Sequence, residues 1–292
     1  MKVLLLANQE AAGGRAVRLL PRLRDFFCAH FPGLEYSHPA NAGKIHWLAA
    51  EAAAAGFERV LVAGGDGTAH AVVNALRGTE TALGVLPLGH GNDLARALGI
   101  PLEPMAAAEF LLRAPVTAID LVRAGEESYA CVASVGLDAE TNRRANAWGS
   151  WPRGHARYLL AGLRTLLSYR PLRVELVTDS EEFSGEVMWV AVANAPYYGG
   201  GLRIAPEAAL DDGIMDICVI ERMSRTQMLA LYPRLRTGAH LRASHVRYFR
   251  ACRVELRAPP GAALFGDGEL IGRLPAELHV EPAAVRVLGR PD

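Results

Sequence analysis

Val60-Leu61-Val62-Ala63-Gly64-Gly65-Asp66-Gly67-Thr68 runs an apolar strand directly into three glycines around one acid, and the helical pattern Ala69 to Leu76 follows. That order builds a phosphate cradle. Glycines 64, 65 and 67 can adopt positive φ and leave backbone N–H groups unshielded, while the helix directs its positive end at a bound anion. Asp66 narrows the chemistry. A carboxylate beside a phosphate is repulsive unless it holds a metal ion or is tied to backbone N–H groups, so nucleotide chemistry with a divalent cation is the leading idea. Taken alone, the same residues also describe an ordinary glycine-rich turn after a strand.

Outward from this stretch, Val3–Ala7 and Leu83–Pro87 read as further buried strands, and the segments between them as helices, Arg15 to Phe27 and Lys44 to Ala55. This is the βαβ rhythm of a parallel sheet. Asn92 to Leu98 and Met105 to Leu112 continue the helical pattern. Ligands of such sheets bind beyond the carboxyl ends of the strands, where Asn8, the Gly64–Thr68 loop and the Pro87–Asp93 loop would emerge around one crevice.

After about Thr117 the pattern turns to short apolar runs: Ala118–Arg123, Tyr129–Val135, Leu172–Thr178, Val187–Ala193, Met215–Ile220, Cys252–Leu256 and Ala284–Leu288. A mainly β domain follows, interrupted by helices at Tyr158 to Leu167 and Arg225 to Leu235. With 292 residues and 51% hydrophobic content the chain can bury two cores. Lys plus Arg and Asp plus Glu balance at 31 each, which argues against nucleic acid as a partner. Cys28, Cys131, Cys218 and Cys252 are widely spaced among mostly apolar neighbours, the pattern of buried free thiols in a reducing compartment. No apolar run reaches ~18 residues, so a cytoplasmic protein with at most transient, peripheral membrane contact is expected.

A second glycine loop, Pro87-Leu88-Gly89-His90-Gly91-Asn92-Asp93, again joins a strand to a helix. Further on stand Ala193-Asn194, Gly199-Gly200-Gly201, Pro206, Asp211-Asp212-Gly213-Ile214-Met215-Asp216 and Phe265-Gly266-Asp267-Gly268-Glu269. In this order the set resembles the diacylglycerol kinase catalytic-domain family, in particular its soluble bacterial lipid kinases of YegS-like type. The resemblance spans almost the whole chain.

It implies an α/β N-terminal domain with a Rossmann-like parallel sheet, of NAD kinase and diacylglycerol kinase type, over residues 1–120. A mainly β, sandwich-like lipid domain would cover 121–278, with about 279–292 packing back on the first. The activity implied is transfer of the γ-phosphoryl group of ATP, with Mg²⁺, to the hydroxyl of a diacylglycerol-like lipid at a membrane surface. Nucleotide contacts would come from Asn8, Gly64, Gly65, Asp66, Gly67, Thr68, Gly89, His90, Gly91, Asn92 and Asp93. Such chemistry needs positioning, charge neutralisation and a proton acceptor. By similarity the acceptor is Glu269, with Asp267 its neighbour in the active site, although an Asp-Gly-Glu turn is also common in plain hairpins. Relatives hold a structural Mg²⁺ at the Asp211–Asp216 turn, here through Asp212 and the carbonyls of Ala209 and Ile214; a solvated acidic turn is the competing reading.

Four positions depart from the family pattern. Gln9 replaces a proline, no hydroxyl stands among Pro39, Ala40 and Asn41, Ala71 replaces a glutamate, and His90 replaces a threonine. They keep open a weakly active or inactive lipid- or nucleotide-binding homologue, as well as a kinase for another small alcohol such as NAD. Arg143 to Arg153 mixes Trp148 and Trp151 with arginines and is read either as a lipid-surface contact or as a packing anchor. A homodimer stays open as a partner arrangement, and the acyl chains of the lipid are expected to be held by shape in an apolar cleft.

Overall fold

Five consecutive apolar residues, Val3–Ala7, form the first strand (β1), buried along its whole length in the computed structural model, which describes residues 1–8, 15–39, 41–148 and 155–290. The chain divides into two compact units, residues 1–121 with 282–292, and residues 122–281. In the first unit β1 is followed by α1 (Arg15–His30), β2 (Glu35–Ser37), α2 (Ala42–Ala54), β3 (Arg59–Gly64) and α3 (Asp66–Leu76). Next come β4 (Ala82–Pro87), α4 (Asp93–Ala97), α5 (Pro104–Arg113) and β5 (Val116–Ala124). The strands pair in parallel in the order β2-β1-β3-β4.

Because β1 lies between β2 and β3, the chain leaves it to opposite sides of the sheet, which opens a crevice at the carboxyl ends. Register levels those ends. Ala7 pairs with Ala63 and Gly64 with Pro87, so Asn8, Gly65 and Leu88 leave the sheet side by side. Two of the helices show why they form where they do. Asn41 caps α2 by accepting the Lys44 N–H at 2.9 Å, and Gly56, at φ 74°, follows its end. α3 buries Ala69, Val72, Val73 and Leu76, a helical stripe against the sheet.

The second unit is antiparallel and β-rich. It contains β6 (Glu127–Tyr129), β7 (Val132–Gly136), α6 (Leu137–Ala147), α7 (His155–Ser168), β8 (Leu172–Thr178) and β9 (Glu182–Ala193). After them come the short β10 (Tyr197–Tyr198) and β11 (Leu202–Arg203), β12 (Met215–Glu221), α8 (Arg225–Leu235), β13 (Val246–Ala251), β14 (Arg253–Arg257), β15 (Ala263–Gly266) and β16 (Glu269–Arg273). The long β9 organises it: residues 182–187 pair with β8 and 189–193 with β7, while β12 lines the other edge. Val190, Val192, Ile217, Val219, Leu256 and Leu278 belong to one buried apolar core. β17 (Ala276–Leu288) begins in this unit, pairing with β14, and ends in the first, where Val287 pairs with Leu83 of β4. At the passage Pro282 lacks a ladder donor, and Ala283 turns to φ 50° and gives its N–H to Asp120 Oδ1 at 2.7 Å.

Two sequence readings are corrected here, and a third falls partly outside the described residues. Tyr129–Val135 is not one strand: β6 stops at Tyr129 and β7 starts at Val132. Arg143 and Arg144 lie on α6, both paired with Glu140, whereas residues 149–154 of the tryptophan-rich stretch fall outside the described residues. The thiols also differ from expectation. Cys131 and Cys218 are buried, and burial pushes the Cys218 thiol up to about 12, but Cys28 and Cys252 are exposed. Thiol titration of the native protein is therefore expected to label two cysteines quickly and the other two only on unfolding.

Candidate functional site

In the first unit the two glycine loops meet back to back. A Cβ on Gly89 would lie 2.5 Å from the Gly65 Cα and 2.8 Å from Asn92 Oδ1, so only glycine permits the approach. None of Gly64, Gly65, Gly67, Gly89 or Gly91 has positive φ, and the left-handed residue of the site is Asn92 at φ 55°; what Gly64, Gly65, Gly89 and Gly91 supply is close packing. Gly64 is constrained in the same way by the Thr68 side chain, which a Cβ would strike at 2.5 Å.

Asp66 locks the arrangement. The Asn92 N–H donates to Asp66 Oδ2 at 2.9 Å and the Asp93 N–H to Oδ1 at 2.7 Å. Of the two ways a carboxylate can sit beside a phosphate site, this is the tie to main-chain donors. Asn92 in turn closes its own loop, accepting the Gly89 N–H and donating to the Gly89 carbonyl, each at 2.9 Å. Asn8 donates to Thr68 Oγ1 at 2.9 Å, which fastens the end of β1 to the first turn of α3. Asp93 is buried, and its carboxylate and that of Asp66 both border Gly91: a Cβ there would run into Asp66 Oδ2 and come within 3.5 Å of Asp93 Oδ2. His90 is exposed at the tip. Gln9 and Ala40 lie outside the described residues.

In the second unit, Asp267 and Gly268 form a two-residue hairpin turn with φ of 51° and 87°, the paired left-handed geometry that Asp-Gly favours. The Asp267 carboxylate accepts three main-chain N–H groups, from Ala130 at 2.9 Å, Cys131 at 2.9 Å and Val132 at 3.2 Å. Those are the amides at the break between β6 and β7, so the break and the hairpin explain each other. Glu269 opens β16 opposite Gly266, with its side chain exposed.

The acidic turn before β12 is already neutralised in part. Asp212 Oδ1 accepts the Ile214 N–H at 3.1 Å, and Oδ2 pairs with Arg250 at 2.7 Å. Fully buried Asp216 sits 3.3 Å from the same guanidinium, and burial raises its carboxyl to about 6. Asp212 and the Ala209 and Ile214 carbonyls are the oxygen donors a hard cation needs, but Arg250 holds the place where its charge would go.

Sequence reasoning missed one buried cluster. Ser134, Asn142 and Tyr198 all donate to Asp138 Oδ2, Ser134 at 2.6 Å and Asn142 at 3.1 Å. Burial pushes the Asp138 carboxyl up against the pull of the Ser134 and Tyr198 hydrogen bonds. The four-residue spacing of Ser134, Asp138 and Asn142 was the available signal, but Tyr198 is reached only through the fold.

Over residues 2–124 the sequence matches the family model of the diacylglycerol kinase catalytic domain, and over 131–289 that of the YegS C-terminal NAD kinase beta sandwich-like domain. A diacylglycerol kinase of Mycobacterium tuberculosis is 39% identical over 255 residues, covering 85% of this chain and 82% of the relative. One from Bacillus subtilis is 33% identical, with 81% and 79% covered. The crystal structure of a diacylglycerol kinase from Bacillus anthracis superposes with a TM-score of 0.77 at 20% identity, over 99% of this chain and 97% of that one. That last likeness concerns the fold alone.

Proposed function

The chain belongs to the diacylglycerol kinase family of lipid kinases, and from that premise we propose that it moves the terminal phosphoryl group of ATP to the free hydroxyl of a diacylglycerol or closely related lipid. The observation that carries this reading is the glycine-on-glycine approach of Gly65 and Gly89, locked by Asp66, at the head of the 11-residue α3. Main-chain donors of the Gly64–Thr68 and Gly89–Gly91 loops and the positive end of α3 would receive the phosphates. Asn8 would serve by holding Thr68, and exposed His90 would donate to a phosphate oxygen.

When bound with the nucleotide, Mg²⁺ supplies neutralisation of phosphate charge. Asp93, whose carboxylate borders Gly91, would hold it together with phosphate oxygens, since Mg²⁺ in such sites commonly takes only one or two protein carboxylates, while Asp66 is tied to the Asn92 and Asp93 amides. Glu269 would accept the alcohol proton, and Asp267 would position it by fixing the hairpin on the amides of residues 130–132. A lipid acceptor lies in a bilayer, so contact with the membrane would be peripheral; no helix among the described residues is long and apolar enough to cross one.

The test is transfer from radiolabelled ATP over diacylglycerol, monoacylglycerol, a sphingoid base, phosphatidylglycerol and NAD. Label in a diacylglycerol product is expected. Label in NAD would replace the lipid reading by a nucleotide one. The absence of a side-chain donor at Ala71 favours a second reading, a binding homologue, which predicts nucleotide binding with no labelled product. For the structural cation at Asp212, Ala209 and Ile214, Mg²⁺ at tenfold its Kd would stabilise the fold by about 1.4 kcal/mol, roughly 3–6 °C in the melting temperature. Arg250→Gln should enlarge the Mg²⁺-dependent rise and Asp212→Asn should remove it; a rise unaffected by either variant would place the ion elsewhere.

A further inference from the structure

Between Glu140 and Glu175 the sequence holds seven arginines and neither aspartate nor glutamate, in a chain whose charges balance overall. Helix α7 lies within this stretch. Its inner side buries Ala161, Thr165 and Leu166, and it packs against α6. Arg144 of α6 fastens it by donating to Ser168 Oγ at 2.9 Å.

The outer side of α7 is apolar as well. Leu159, Leu163 and Leu167 recur every four residues along one line, with Leu160 beside them, and they are 55, 43, 67 and 47% exposed, respectively. Tyr158 adds a ring that is 46% exposed. Arg157 and Arg164 border this stripe on the helix and Arg170 follows its end. A helix apolar on both sides is one that expects cover on both, and an exposed patch of clustered leucines marks an interaction surface.

Charge decides between the occupants. A second copy docked α7 against α7 about a two-fold axis would set the arginines of one stripe against those of the other, since the stretch 141–174 that carries the helix has no acid of its own. A leaflet containing anionic phospholipid offers the complement, acyl chains for the leucines and phosphates for the guanidinium groups. We propose that the outer face of α7 is the membrane-docking element of this chain, with Leu159, Leu160, Leu163 and Leu167 entering the acyl boundary of an anionic leaflet and Arg157, Arg164 and Arg170 engaging its headgroups. The inference rests on the lipid-kinase reading for its purpose, which is to bring the enzyme to an acceptor that does not leave the bilayer.

Flotation with vesicles of phosphatidylcholine alone or mixed with phosphatidylglycerol tests it. Wild type should bind the mixed vesicles and lose binding as salt rises. Leu159→Gln with Leu163→Gln and Leu167→Gln should weaken that binding roughly tenfold or more. Arg157→Gln with Arg164→Gln and Arg170→Gln should weaken it on the order of a hundredfold, leaving binding independent of salt. Because the substituted leucines are solvent-facing, melting temperatures should hold, and transfer to a short-chain diacylglycerol in free solution should be unchanged. Vesicle affinity unaltered in the leucine variant would overturn the proposal. So would a wild-type dimer in sedimentation that becomes monomeric in that variant while its vesicle affinity stays the same. Binding through α7 by a wild type that phosphorylates no lipid would sustain docking and defeat the kinase reading instead.

Discussion

Glu269→Ala is expected to bind nucleotide as wild type does and to lose about 10²- to 10⁴-fold in kcat, or roughly 3–5 kcal/mol of transition-state stabilisation. Glu269 is exposed at the start of β16, so truncation removes little packing and should move the melting temperature by a degree or two at most. What it removes is the group that would take the proton as the lipid oxygen attacks. Glu269→Gln keeps the shape but not the basicity, and should fail to the same degree. Asp267→Asn provides the contrast. An amide offers one acceptor oxygen where the carboxylate receives three N–H groups, so the hairpin loosens, and kcat should fall together with thermal stability. Turnover measured beside nucleotide titration and melting separates the two effects; full activity in Glu269→Ala would remove it from the chemistry.

Strands β1, β3 and β4 were readable because each is a run of apolar residues buried on both faces, bounded by glycine, proline or asparagine, whereas β2, Glu35–Ser37, is short, polar and partly exposed and carried no such signal. β1 has the bounds read from the sequence, and β3 and β4 each extend them slightly. Asp-Gly at 267–268 was likewise a local signal, since the turn type selects its residues. Other features were fixed at a distance. The interruption after Tyr129 depends on a carboxylate more than 130 positions away, with |i−j| of 137 for the Ala130 bond, and no window of sequence contains both ends. Helix α6 escaped notice because the face it buries is Leu137, Ala139, Thr141, Asn142 and Ala145, too small and polar to register as an apolar stripe. The glycine loops were located correctly but for an incomplete reason. Gly65 and Gly89 admit one another's backbone, and Gly64 and Gly91 leave room for the Thr68 and Asp66 side chains, demands that only the tertiary structure reveals.

Asp66→Ala is expected to raise the KM for the nucleotide by about 10- to 100-fold and to lower the melting temperature by several degrees. Each of its two main-chain hydrogen bonds is charge-assisted, and such bonds contribute about 1.5–3 kcal/mol where solvent is excluded, less here because the group is only partly buried. With the carboxylate gone, the two bonds that tie Asn92 and Asp93 to the first turn of α3 are lost, and the Gly65–Gly89 contact is expected to loosen. Asp66→Asn separates a clamp from a metal ligand. Its amide can accept one of the two N–H groups and must turn its own NH₂ toward the other, so a clamp predicts a loss of stability close to that of alanine. A role confined to holding Mg²⁺ predicts instead an unchanged melting temperature and recovery of activity at high Mg²⁺ or Mn²⁺. Melting curves without nucleotide decide first, since the clamp acts on the empty protein: an undisturbed curve for both variants would mean that the two loops keep their places without Asp66.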